Sequence, residues 1–180
     1  MKNITLTFCI AALFLICGNT AFADNPKLSG VWVLDKAKSE GLPPTKFHQI
    51  MMVTQTGDKL SVSTKIITSE GEDVSPKSYT LDGKETEYSV TLLVTEDTDS
   101  PEGGKTRHST KTVKGKQTAK WTADGIEILE ISAIDTSNGV ATVKIARKWM
   151  LSADGKTLKV TINVQSPTVK SETKLTFNKQ

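Results

Sequence analysis

The sequence predicts an all-β domain, an antiparallel up-and-down meander of roughly eight to ten strands closed into a β-barrel. Three observations carry this. Apolar and polar residues alternate with period two along most of the chain. Tight-turn dipeptides recur between the alternating runs: Gly57-Asp58, Asp82-Gly83, Asp124-Gly125, Asn138-Gly139 and Asp154-Gly155. Beyond the first two dozen residues no run carries the 3.6-residue apolar period of an amphipathic helix.

Taken in order, the expected strands are 28–34, 46–56, 59–68, 77–81, 84–95, 105–122, 126–135, 140–152, 156–165 and 169–178. Leu60, Val62, Thr64 and Ile66 share one face, against Ser61, Ser63 and Lys65 on the other. Tyr88, Val90, Leu92 and Val94 repeat the pattern, as do Val143, Ile145, Arg147, Trp149 and Leu151, and Leu158, Val160, Ile162 and Val164. Such alternation marks strands with one packed and one wet face. Asp-Gly and Asn-Gly tolerate positive φ, so they join neighbouring antiparallel strands by short hairpins. One short helical turn is expected over 35–40, ended by Pro43-Pro44. So many antiparallel strands in one small domain must hide their edges, and barrel closure does this.

Residues 1–23 read as a cleavable secretory signal. Lys2 supplies the positive start, 6–17 is apolar apart from Thr7, and Ala21-Phe22-Ala23 offers the small-x-small cleavage pattern before Asp24. The apolar run is too short to span a bilayer. The expected mature domain is 24–180, one unit, periplasmic or secreted, with no integral membrane segment. Cys9 and Cys17 leave with the signal, so the domain has no disulfide, thiol nucleophile or thiolate metal ligand. Without Lys2, 22 basic residues face 20 acidic ones. That balance calls for no polyanionic partner and, with no aromatic platform along the basic run, for no nucleic acid. The sequence sets no oligomeric state.

The segment Leu28-Ser29-Gly30-Val31-Trp32 and the later Trp149-Met150-Leu151-Ser152-Ala153-Asp154-Gly155-Lys156-Thr157-Leu158 together resemble the secreted lipocalin-like, calycin-type proteins of bacteria. The resemblance implies a lipocalin-like β-barrel with an interior cavity, and puts Gly30 and Trp32 at its floor. In lipocalins that tryptophan packs against an arginine of the last strand. Here the expected last strand offers Lys170 and Lys174 and no arginine, and Thr98-Asp99 is followed by Ser100 where the second lipocalin motif has an aromatic residue.

No catalytic constellation is visible, and the domain is expected not to be an enzyme. His48 and His108 lack metal-ligand spacing, and no cofactor or metal motif is present. Ser171-Glu172-Thr173-Lys174 has a nucleophile-like spacing, but on a strand positions three apart face opposite ways. Acids at 96–102 are followed by an acid-free stretch, 103–123, rich in lysine. This reads either as an anion-binding strand or as a charged ribbon that resists edge pairing.

Arg147 is the costly residue, since parity puts it between Ile145 and Trp149 on the apolar face. It can stack on a tryptophan, pair with inward-facing Glu130, meet a ligand carboxylate, or turn outward on a bulge. The functional expectation is an exported protein that binds a small apolar or amphipathic molecule in the barrel, with Arg147, Trp149 and Tyr88 as candidate ligand contacts. The alternative is an envelope or extracellular interaction module that uses its exterior.

Overall fold

Ten antiparallel strands form one sheet in the order β4-β3-β2-β1-β10-β9-β8-β7-β6-β5, in a computed structural model that describes residues 27–98, 105–136 and 139–180. They are β1 Gly30–Leu34, β2 Phe47–Thr56, β3 Lys59–Thr68, β4 Gly71–Thr80, β5 Thr86–Thr98, β6 Lys105–Thr122, β7 Gly125–Thr136, β8 Gly139–Leu151, β9 Thr157–Gln165 and β10 Lys170–Lys179. Strands consecutive in sequence pair with each other, except β4 and β5, and β1 pairs also with β10. The expected meander is present. The expected helical turn is a single 3-10 turn, Lys36–Lys38, and the described residues contain no α-helix. The expected signal, 1–23, lies outside the described residues.

Strand parity sets the core. Trp32, Met51, Val53, Leu60, Val62, Tyr79, Ile126, Ile128, Trp149, Leu158, Val160 and Phe177 are all buried, and all sit on the inward parity that the alternation assigns. The sheet curls strongly around them into a half-barrel. A sheet with period-two patterning has only one apolar face, so curling it on itself buries that face without a second layer.

One strand reading changes. The fourth strand was expected over 77–81 and begins instead at Gly71. Glu72, Asp73 and Pro76 read as loop, but β4 ends the strand order, and at an edge charges and a missing N–H are tolerated. Closure is also specific in form. β4 and β5 stand at opposite ends of the order and do not pair with each other. The gap is bridged at one end through β6: Gln117 Nε2 donates to Ser78 O at 3.1 Å, Gly83 N–H to Ala119 O at 2.9 Å, and Asp82 forms an isolated bridge with Lys120.

β6 outruns its partner. It meets β7 only from Gly115 onward, while its first half, 105–114, pairs with β5 alone. The charge-segregated stretch is therefore folded back on itself, with Glu96 opposite Arg107 in the ladder. At the fork, Gly115 leaves room for Tyr88. A Cβ there would lie 2.6 Å from both the Tyr88 ring and Ile131 O.

Candidate functional site

Trp32 is fully buried and its Nε1–H donates to Leu28 O at 2.9 Å. Lys179, the last residue of β10, is opposite Trp32 in the ladder. Its Nζ lies 5.1 Å from the indole centroid. The cation expected of a last-strand arginine is thus supplied by a lysine just beyond the expected strand end. Gly30 makes this possible: a Cβ there would come within 2.6 Å of Lys179 Cε, and its φ of +147° suits glycine.

The interior charge cluster is built across the barrel. Glu130 on β7 is 1% exposed. Arg147 on β8 lies diagonally across from it, since Glu130 faces Ile145 and Ile128 faces Arg147 in the ladder. Arg147 Nη1 donates to Glu130 Oε2. From β4, on the far side of the open seam, Lys77 Nζ reaches Glu130 Oε1 at 2.6 Å and Tyr79 Oη donates to the same oxygen at 3.1 Å. Of the four fates open to Arg147, the structure selects the pairing with Glu130.

Burial by itself would raise the Glu130 pKa, but the Arg147 charge and the hydrogen bonds from Lys77 and Arg147 outweigh it and hold the carboxyl below its ordinary range. Burial first, and then the Glu130 charge, push the Tyr79 phenol well up, so it stays a neutral donor. The Tyr88 phenol is also raised, chiefly by burial, against a hydrogen bond with Ser132.

Above this cluster is a cavity of about 280 Å³. Met51, Val62, Ile66, Trp149, Val160 and Ile162 give it an apolar wall, and Lys77, Tyr79, Arg147 and Asp73 a polar one. A second, more open chamber of about 270 Å³ shares Gln49, Ile66 and Leu175 with the first and is lined also by Leu42, Pro43 and Thr45 of the β1–β2 connection. That connection is stitched to β10: Asn178 Nδ2 donates to Asp35 Oδ2 at 3.1 Å, Thr176 Oγ1 to Lys38 O at 2.9 Å, and Lys174 Nζ pairs with Glu40 at 3.0 Å. The Asp35 carboxyl is held below its ordinary range, first by its hydrogen bond with Lys38 and then by Asn178.

Of the expected ligand contacts, Arg147 and Trp149 line the first cavity. Tyr88 lies apart from its walls, at the fork beside Gly115. Residues that sequence reading missed are Lys77 and Tyr79, because both strand boundary and cross-barrel reach were needed to bring them to Glu130. Two buried indole N–H groups have no acceptor among the described residues. The Trp149 Nε1–H is buried without an acceptor, as is that of Trp121, which shares its ladder row.

The outer surface carries a separate groove of about 350 Å³, with Leu129 and Ala146 at its base and Lys120, Lys144 and Lys148 around it. Among the described residues no group of three or more histidine, cysteine, aspartate or glutamate side chains is placed to hold a metal ion. No helix of the described residues is long and apolar enough to cross a membrane.

No family model matches the chain, and no curated protein does. Among solved structures it is similar to human cRBP IV, at 15% identity and a TM-score of 0.42, over 85% of this chain and 98% of that one. It is also similar to the fatty-acid-binding protein isolated from Manduca sexta L, at 16% identity and a TM-score of 0.36, over 84% of this chain and 98% of that one. The strand order, the curl and the inward-facing core described above make this chain an all-β, strongly curled half-barrel of ten antiparallel up-and-down strands.

Proposed function

We propose that this chain is an exported, non-catalytic binding protein that holds a small apolar or amphipathic molecule within its curled sheet. The observation that carries this is the pair of adjoining chambers whose shared wall is Gln49, Ile66 and Leu175. A small domain packs its interior to crystal-like density and leaves few voids larger than a water molecule. Ligand pockets run from about 300 to 1,000 Å³, and the two chambers together fall in that range. The export half of the proposal rests on the 1–23 segment, and N-terminal sequencing of the mature protein should begin at Asp24.

Native mass spectrometry of the protein, purified gently from its own source, tests the binding half. A reproducible bound mass is expected, and it should be lost from an Ile66→Phe variant that puts an aromatic ring into the shared wall. A protein that carries no adduct and excludes apolar fluorescent probes would remove the reading.

A second reading has an observation of its own. The outer groove over Leu129 and Ala146 is rimmed by lysines, of which Lys120 pairs with Glu127 and Lys148 with Asp124. An interaction module would use this face. Substituting Ala146 by a large residue would then abolish partner binding and leave the interior untouched.

A further inference from the structure

We propose that the outer groove docks an acidic peptide segment of a partner protein, with its carboxylates on four lysines and an apolar side chain over Leu129. This rests on the second reading above, names the partner, and is independent of the interior. The geometry follows from the ladders. Thr118, Leu129, Ala146 and Asn163 stand directly opposite one another on β6, β7, β8 and β9 and make one row across the outer face. None of the four is charged and Ala146 is a single methyl, so the row is a trough, and the groove of about 350 Å³ lies over it. The rows on either side carry the lysines: Lys120 and Lys148 on one wall, Lys116 and Lys144 on the other. Four residues along a strand span about 13 Å, and two strand spacings about 10 Å. The lysines are therefore based at the corners of a rectangle of about that size, with Leu129 at its centre.

Charge decides the occupant. Lys144 pairs with no acid among the described residues, and Glu127 is the one acid within the three rows. Lys120 holds Glu127 and Lys148 holds Asp124, both at 3.3 Å, and Lys116 holds Glu85 at 2.7 Å. Asp124 and Glu85 reach in from turns beyond the rows. All three pairs are exposed on the acid side, and pairs of that kind are weak, so a partner carboxylate displaces them at little cost. A second copy of this chain does not fit. Any twofold axis that lies in this face and passes through Leu129 sets lysine against lysine. A bilayer would rest on the lysine rims and leave the trough uncovered. No aromatic side chain lines the groove to stack a nucleic-acid base. A single extended chain lies between the walls, and acids on it meet lysines on both sides.

The test titrates the capped peptide Asp-Glu-Leu-Glu-Asp into the full mature chain and follows backbone amide resonances. Its neutral counterpart, Asn-Gln-Leu-Gln-Asn, and vesicles of phosphatidylglycerol with phosphatidylcholine are the other two arms. The acidic peptide should move the amides of Thr118, Leu129, Ala146 and Asn163, and bind roughly tenfold or more tighter than the neutral one at low salt. Raising salt from about 20 to about 200 mM should erase most of that preference. Lys144→Glu, a change at an exposed site, should weaken the acidic peptide roughly tenfold, and Ala146→Phe, which fills the trough, should abolish its binding. Amides away from the groove report that both variants are folded. Equal binding of the two peptides, or acidic-peptide binding that survives both substitutions, would overturn the inference and leave the exterior reading standing. Groove amides that answer to the anionic vesicles and not to the peptide would overturn it in favour of a membrane surface. Groove amides that answer to neither would remove the exterior reading as well, while an apolar probe in the same sample reports on the interior separately.

Discussion

Glu130 and Arg147 show how a single buried ion pair can be checked by pH. The lowered carboxyl pKa contributes stability that is complete above the ordinary value of 4.5 and is lost as pH falls through the lower native value. Arg147→Met removes the main lowering charge and leaves burial in control. Lys77 and Tyr79 remain, so the loss should be about 3 kcal/mol near neutrality. It should shrink as pH falls through the lowered native value, below which Glu130 is protonated with or without its arginine. Denaturant midpoints across that range measure this, and a pH-independent loss would mean that the guanidinium matters only for packing. Trp32 and Lys179 make a second case at the same scale. Trp32→Ala should cost roughly 3–5 kcal/mol. Lys179→Met should cost only about 0.5–1 kcal/mol, the worth of an exposed cation over a ring. Gly30→Ala should cost more than Lys179→Met, because a methyl at φ +147° strains the backbone and also displaces the lysine. If Gly30→Ala proved neutral in a thermal melt, the close approach of Lys179 would not exist in solution.

Among the elements, the β5–β6 pair is the outlier. From Gly115 toward its start, β6 has one partner instead of two, and an isolated two-stranded ribbon is marginal in water. Amides in 105–114 should therefore exchange with solvent about tenfold or more faster than those in 116–122, which β7 also flanks. Equal protection in native-state hydrogen exchange would mean that something else covers the ribbon. How far such features were legible beforehand varies by element. β3 and β6 were readable to the residue, each with a turn dipeptide at one end, Gly57-Asp58 before β3 and Asp124-Gly125 after β6. β4 was half hidden, since the residues that make it a safe edge, Glu72, Asp73 and Pro76, are the ones that deny a strand. Arg147 and Glu130 could be matched by parity within a hairpin, which is a local property. Lys77 and Tyr79 could not, because their contact with Glu130 spans the barrel and depends on curl. The cavity's size was illegible for the same reason: its volume is what the curl leaves over after the inward side chains are placed.

The whole molecule is held together in the middle of its strand order by the short β1·β10 ladder, Trp32 to Lys179 through Leu34 to Phe177. On one side lie β2 to β4 and on the other β9 down to β5. Every other ladder joins strands that are consecutive in the chain, whereas this one joins residues more than 140 positions apart. Contacts of such separation carry the largest loop-closure cost and form late. Trp32, Leu158 and Phe177 belong to one core, so a chain made from its N-terminus has no complete interior until its final strand exists. Hairpins can form on the way, but the all-or-none transition cannot. A nascent chain ending anywhere before 170 should stay loose, open to proteases and slack enough to be threaded through a narrow pore, and shortened chains ending there should show no cooperative melt. The position of one ladder therefore acts as a timer: it defers folding until the last strand of the sheet has been made.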